Sequence, residues 1–126
     1  MNKTKTMIQR SIFVLAVLDL EVSSRFYQDV LGFSIQEIGD PGWRMYVRDD
    51  CRIMAGHCPD ATPPAELGDH SYFGYFVVSD VEAEYQKVVS HNVEIVKPLR
   101  SEPWEMREFG LRTVDGHRIM IGQDID

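Results

Sequence analysis

The chain has 126 residues, 44% hydrophobic and 26% charged, which suffices for one domain with a buried core. Its net charge of -7 argues against a nucleic acid as partner, because phosphates select basic surfaces. No stretch approaches the roughly 20 apolar residues that span a bilayer, so no membrane partner is expected either. Cys51 and Cys58 lack the pattern of a disulfide framework or a zinc site, and we predict reduced thiols in a cytoplasmic protein.

The first half of the chain reads as a strand, a helix and three further strands. Residues 8–18 form a β-branched, apolar run that predicts a central strand. A helix is predicted to start at Asp19, because Val22, Phe26 and Val30 follow at helical spacing, and Gly32 is placed to end it in the left-handed conformation. The remaining strands are predicted at 33–38, 43–48 and 51–56, separated by turn clusters.

The second half repeats this order after a proline-rich linker, residues 58–70. A strand is predicted at 72–78, then a helix capped by Ser79 or Asp80 and running to about residue 91. A strand at 93–97 and a loop at 98–103 follow. The chain closes with a hairpin whose arms, about 105–113 and 118–121, flank a turn at Asp115-Gly116.

An internal repeat supports this division. Asp19 and Trp43 recur 61 positions later as Asp80 and Trp104, and the segment 52–56 recurs 66 positions later as 118–122. We therefore predict two similar βαβββ modules, 8–57 and 71–123, forming mixed sheets with helices on one face.

The element order and several motifs resemble the vicinal oxygen chelate superfamily, which includes glyoxalase I, bleomycin-resistance proteins and extradiol dioxygenases. The resemblance implies an α+β fold of two βαβββ modules with incurved mixed sheets and a ligand cavity between or across them. It also implies a homodimer, as in many members. The motifs that carry it are the segments 17–21, 24–27, 30–33, 104–109 and 115–117.

Enzymes of this superfamily hold a divalent metal with His, Glu or Gln on four strands. The resemblance places these ligand positions at Ile12, Met54, Phe73 or Gly74, and Met120. None of these side chains offers the oxygen or imidazole donors that Mg²⁺, Mn²⁺ or Ni²⁺ prefer. We therefore expect no metal and no other cofactor.

The two tryptophans are the strongest candidates for ligand contacts. Trp43 and Trp104 occupy equivalent places at hairpin entrances, where they either plug the core or offer a stacking surface to a flat ligand. Bleomycin-resistance members stack planar drug groups on aromatic residues in acidic crevices, and the net charge of -7 is compatible with a cationic ligand. The predicted ligand site has a floor of Ile12, Met54, Phe76 and Met120 and a rim of Trp43, Trp104 and either Arg107 or Glu108, since neighbours on a strand point to opposite faces.

These observations leave three hypotheses. The favoured one is a metal-free protein that sequesters a planar or cationic small molecule. The alternative is a superfamily enzyme of the lyase, isomerase or dioxygenase type, with a non-standard metal site or with Glu105, Arg107 or Glu108 as acid–base groups. A purely structural dimerisation domain is the third. No catalytic residue is assigned, because each histidine occupies an ordinary turn, linker or helix-end position that requires no catalytic role. These histidines are His57, His70, His91 and His117.

Overall fold

The fold consists of two four-stranded mixed sheets and two helices, in a computed structural model that describes residues 6–68 and 70–125. In each sheet the first strand of the module pairs in parallel with the last, and the other pairings are antiparallel. The strand orders are β1-β4-β3-β2 and β5-β8-β7-β6. The elements are β1 Phe13–Val17, α1 Leu20–Asp29, β2 Ser34–Glu37, β3 Trp43–Arg48, β4 Cys51–His57, a 3₁₀ turn Pro64–Glu66, β5 Tyr72–Val77, α2 Val81–Ser90, β6 Ile95–Glu102, β7 Met106–Arg112 and β8 Arg118–Asp124.

This architecture confirms the predicted α+β class with two βαβββ modules. Both helices start where the sequence places them. The side chain of Asp19 accepts hydrogen bonds from the backbone N–H groups of Glu21 and Val22, and Asp80 accepts one from Ala83. Gly32 follows α1 with a φ of +75°, which is the left-handed conformation that closes a helix.

The first strand is shorter than predicted and lies at a sheet edge rather than in the centre. Phe13 pairs with Ile53 in β4, and the parallel register would place residue 10 beside the turn that precedes Cys51. Residues 8–10 therefore have no strand to pair with on that side. The apolar run predicted an extended chain but could not show where its partner strand begins.

The predicted loop at 98–103 is also wrong, because β6 continues through Pro98 to Glu102. Proline lacks a backbone N–H and is tolerated in strands only at edges or bulges. Both conditions hold here, since β6 is an edge strand and its register with β7 shifts between Lys97 and Arg100.

The core lies between the sheets and their helices. Tyr27 of α1 packs on Tyr46 of β3 with ring centroids 4.7 Å apart, and Tyr85 of α2 packs on Phe109 of β7 at 5.1 Å. Between the modules, the ring of Phe13 lies 5.6 Å from that of Phe73. Since the helices cover one face of each sheet, the opposite face carries no helix, and we call it the open face.

Two polar bridges join the modules, each between the helix of one module and the last hairpin of the other. Ser23 of α1 donates a hydrogen bond to Asp115, in the turn between β7 and β8, at 2.8 Å. On the other side, Arg48 at the end of β3 pairs with Glu84 of α2 through two hydrogen bonds. Across the part of the chain that the structure describes, no helix is long and apolar enough to cross a membrane.

Candidate functional site

The open faces are defined by the residues that alternate with the core residues along each strand. On the first sheet, Val14 lies beside Met54, and on the second, Tyr75 lies beside Met120. The repeat relates these two pairs, with offsets of 61 and 66 positions. The first open face includes Val14, Trp43, Met45 and Met54, and the second includes Tyr75, Lys97, Glu102, Met106, Glu108 and Met120.

A buried carboxylate, Glu108 of β7, lies at the centre of the second open face. Only 2% of the residue is exposed, and both of its carboxylate oxygens have partners within the chain. One oxygen accepts hydrogen bonds from the hydroxyl of Tyr75 at 2.6 Å and from the indole N–H of Trp104 at 3.0 Å. The other lies 3.1 Å from the ammonium nitrogen of Lys97. The rings of Tyr75 and Trp104 are thereby hydrogen-bonded to one carboxylate oxygen. We call the group of Tyr75, Trp104, Glu108 and Lys97 the aromatic clamp.

A second carboxylate completes the charge balance around the aromatic clamp. Glu102 pairs with Lys97 and also, at 2.8 Å, with the guanidinium of Arg100. These hydrogen bonds from Lys97 and Arg100 lower the pKa of Glu102. Two acidic and two basic groups are thus in mutual contact, and their formal charges cancel.

The protonation states within the aromatic clamp follow from these contacts. Burial alone would raise the pKa of Glu108, but hydrogen bonds from Tyr75, Trp104 and Lys97 outweigh it and lower that pKa below its usual value. Burial and the hydrogen bond to Glu108 raise the pKa of Tyr75. At neutral pH, Glu108 is therefore ionised and Tyr75 keeps its proton.

Glycines in the strands give the aromatic side chains their places on the open faces. A Cβ atom at Gly122 would lie 2.3 Å from the hydroxyl of Tyr75, and one at Gly56 would lie 2.7 Å from the indole of Trp43. Both rings therefore rest directly against backbone. Gly56 and Gly122 are themselves related by the repeat, and a glycine inside an apolar strand often marks such a close approach. This signal could have found Tyr75, which the sequence interpretation missed together with Lys97.

Most of the sequence-predicted site residues lie on the open faces, but on two different sheets. Trp43 and Met54 lie on the first open face, whereas Trp104, Glu108 and Met120 lie on the second. Trp104 is 59% exposed and stands in the turn before β7, so it does not plug the core. Ile12 is partly buried just before β1.

The other two predicted site residues lie elsewhere. Phe76 pairs with Ile121 on the helix-covered face, and its ring lies 6.1 Å from that of Phe13. Arg107 points to the helix side as well, where it pairs with Glu82 of α2 at 2.6 Å. Of the neighbours Arg107 and Glu108, it is Glu108 that lies on the open face.

The positions that correspond to the superfamily's metal ligands do not suit a hard divalent ion. Ile12, Met54, Phe73, Gly74 and Met120 provide no nitrogen or oxygen side-chain donor, and a thioether is a poor ligand for such ions. Within residues 6–68 and 70–125, no three His, Cys, Asp or Glu side chains gather as a metal site would require.

The four histidines lie away from the aromatic clamp. His57 and His70 are exposed, and the ring of His91 contacts the carbonyl of Lys87 at the end of α2. His117 is partly buried against Phe73, and burial lowers its pKa.

A groove of about 900 Å³ lies between the modules, with Phe13, Phe33 and Phe76 among its lining residues. Two of its arginines have partners within the chain. Arg48 pairs with Glu84, and Arg52 donates to backbone carbonyls. The aromatic clamp is the better candidate site, because it holds exposed aromatic surface in a fixed orientation.

Comparison with known proteins agrees with this fold. Residues 10–121 match the family model of the Glyoxalase/Bleomycin resistance protein/Dioxygenase superfamily. The chain therefore belongs to this superfamily, as the sequence motifs predict. A search of curated proteins finds no match.

Solved structures with the same fold are numerous. TnmS3, an antibiotic binding protein from Streptomyces sp. CB03234, is 19% identical, with 96% of this chain and 99% of that chain covered and a TM-score of 0.78. TioX from Micromonospora sp. ML1 is 19% identical, with 93% and 99% covered and a TM-score of 0.76. A superfamily member from Sphaerobacter thermophilus DSM 20745 is 19% identical, with 94% and 98% covered and a TM-score of 0.71. At these identities the similarity concerns the fold.

Proposed function

We propose that the protein binds a planar small molecule on the second open face, against the aromatic clamp, without a metal ion. The observation that carries this proposal is Trp104, which is 59% exposed although its indole N–H is held by the buried Glu108. A large aromatic surface that is both exposed and fixed in orientation suits a stacked ligand. The structural neighbour TnmS3 is an antibiotic binding protein, which supports the same class of function.

The proposal includes a homodimer that covers the open faces. Val14 is 62% exposed on the first open face, and Tyr75 is also exposed on the second. A sheet face that carries apolar side chains is normally buried against another layer, and here the helices cover only one face of each sheet. A second copy of the chain could cover an open face and close a cavity over the aromatic clamp.

An enzyme with an acid–base group is the alternative, and the contacts of the three candidate residues speak against it. Glu108 has a lowered pKa and no free oxygen, so it is a weak base. Glu105 is exposed in a turn with a φ of +65°, and Arg107 pairs with α2.

The cytoplasmic location and the lack of a nucleic-acid partner remain predictions from the cysteines and the net charge.

The test is a fluorescence titration with acridine, a flat three-ring compound that is neutral at pH 8. We expect saturable binding by the wild-type protein, followed through the fluorescence of acridine itself, a signal that Trp104→Ala does not remove. Trp104→Ala should weaken binding about tenfold, since stacking and lost contact area together are worth roughly 1.4 kcal/mol. Leu67→Ala, in the exposed linker, is the matched control. An unchanged Kd for Trp104→Ala would contradict the proposed site.

A further inference from the structure

We infer that the ligand of this site is uncharged, and that Glu108 is a positioning residue for Trp104 and Tyr75 rather than a counter-ion for the ligand. This inference rests on the proposed function of the second open face. It chooses between the planar and the cationic ligands that the sequence leaves open.

The first argument is the geometry around Glu108. Its carboxylate already accepts two hydrogen bonds on one oxygen and pairs with Lys97 on the other. With 2% of the residue exposed, a ligand cation could reach it only by displacing one of these partners. Such a displacement would break the hydrogen bond of Tyr75 or Trp104, or the ion pair with Lys97, at a carboxylate that is nearly buried, which is costly.

The second argument is the distribution of charge. Around Glu108 on the second open face, Glu102 and Glu108 are balanced by Lys97 and Arg100. The same face of β8 carries a cation at one end, Arg118, and an anion at the other, Asp124. The acidic excess that gives the chain its net charge of -7 lies on helices and turns instead. Examples are Asp19, Glu21, Asp49, Asp50, Glu82 and Glu84. The charged groups in direct contact around Glu108 therefore carry no net negative charge that would attract a cation.

The third argument is what the two rings present to a ligand. Indole has a single N–H, and Trp104 donates it to Glu108. Tyr75 donates its hydroxyl proton to the same oxygen. The outward surfaces of both rings are therefore aromatic faces and C–H edges, which recognise a flat apolar molecule through stacking. Their hydrogen bonds to Glu108 fix these surfaces before the ligand arrives, which reduces the entropy lost on binding.

The experiment compares acridine with 10-methylacridinium, a permanent cation on the same ring system, at pH 8. Titrations use the full-length wild type, Glu108→Gln and Tyr75→Phe, the last of which removes one hydrogen bond to Glu108 but no charge. We expect the wild type to bind acridine at least as tightly as 10-methylacridinium, and both variants to lose affinity for both probes by the same factor, about tenfold. Each variant should also lower the fluorescence anisotropy of Trp104, measured in a Trp43→Phe background where it is the only tryptophan.

The possible outcomes separate this inference from the proposed function. If the wild type prefers 10-methylacridinium, and Glu108→Gln loses only that probe while Tyr75→Phe loses neither, Glu108 is a counter-ion and the inference is overturned, although the site still binds ligands. If the wild type binds neither probe, the proposed function itself fails. Should Glu108→Gln not fold, as judged by circular dichroism, Tyr75→Phe decides alone: equal weakening of both probes supports positioning, and unchanged affinity overturns it.

Discussion

Three groups stabilise Glu108 as a buried anion, and Lys97 is the one of them that carries a positive charge. The lysine side chain is largely buried and contacts two carboxylates, Glu102 and Glu108. Removing one partner of a buried ion pair leaves an uncompensated charge, which usually destabilises a protein by several kcal/mol. The pair therefore contributes to folding as well as to the orientation of the aromatic clamp.

We predict that Lys97→Met lowers the free energy of unfolding by about 2 to 4 kcal/mol, although it removes no apolar contact. Lys87→Met is the control, because Lys87 is exposed on α2 and lies outside the aromatic clamp. Urea denaturation of both variants measures the difference. Equal stabilities would show that Glu108 does not depend on this cation.

A second prediction at this scale concerns the glycine beneath Tyr75. Gly122→Ala should push the tyrosine ring away from Glu108, because the new Cβ would lie 2.3 Å from the hydroxyl. The expected cost is about 1 to 3 kcal/mol of stability, with weaker acridine binding. Gly68→Ala, which meets no atom within 4 Å, is the control. Thermal melting and acridine titration of the two variants test this prediction. A Gly122→Ala variant that binds acridine like the wild type would contradict the proposed role of the aromatic clamp.

The sequence predicts which residue types suit the site, but the face on which a strand residue lies depends on the register of its strand. Trp104 and Glu108 were candidates from residue type and neighbourhood, but Arg107 was equally acceptable as the neighbour of Glu108. In β5, the register with β8 shifts between Tyr72 and Gly74, which changes the residues that share a face. The sequence shows no sign of that shift, so it predicts Phe76 in the site, whereas Tyr75 lies on the open face.

At the scale of elements, the turn between β7 and β8 is tied to helix α1 through a buried polar chain. Asp115 accepts a hydrogen bond from Ser23, which in turn accepts one from the hydroxyl of Tyr46 at 2.8 Å. Burial raises the pKa of Asp115 to about 6, with a further contribution from the nearby charge of Asp19, although the hydrogen bond from Ser23 lowers it. The folded chain therefore binds this proton more tightly than the unfolded chain does.

We predict a specific pH dependence from this group. Because the pKa is higher in the folded state, Asp115 contributes less to the free energy of unfolding as the pH rises from about 4 to 6. Asp115→Asn mimics the protonated form, so it should stabilise the protein by about 1 to 3 kcal/mol at pH 7 and by much less at pH 4. Urea denaturation at several pH values, with Asp29→Asn on the surface of α1 as the control, tests this. A difference from wild type that stays constant between pH 4 and 7 would contradict it.

Helix starts and hairpin turns were predictable because they depend on local chemistry. Asp19, Asp80 and Gly32 take the capping positions assigned to them, and Gly116 takes a φ of +95° in the predicted turn. The extents of β1 and β6 were not predictable, because each depends on the length and register of a partner strand distant in sequence.

At the scale of the whole molecule, the internal repeat was enough to predict two βαβββ modules, and the superfamily match confirms the resulting fold. What the repeat cannot show is how the open faces are covered. In the single chain, each sheet packs its helix on one side and leaves apolar side chains such as Val14 exposed on the other.

The proposed homodimer predicts that a charge on an open face prevents association. Val14→Lys should convert a dimer into a monomer at micromolar concentration, because a lysine would be buried without a partner. Val89→Lys, at an exposed position of α2, should leave the dimer intact. Sedimentation velocity measures both. A wild-type protein that sediments as a monomer would rule out the dimer.

The most direct test of the account is a crystal structure of the wild-type protein grown with acridine. We predict a flat density stacked on the indole of Trp104 beside Tyr75, with Glu108 still bonded to both rings and to Lys97, and with the open face of a second chain closing the cavity. Density for acridine in the groove between the modules instead, with the aromatic clamp exposed to solvent, would contradict the account.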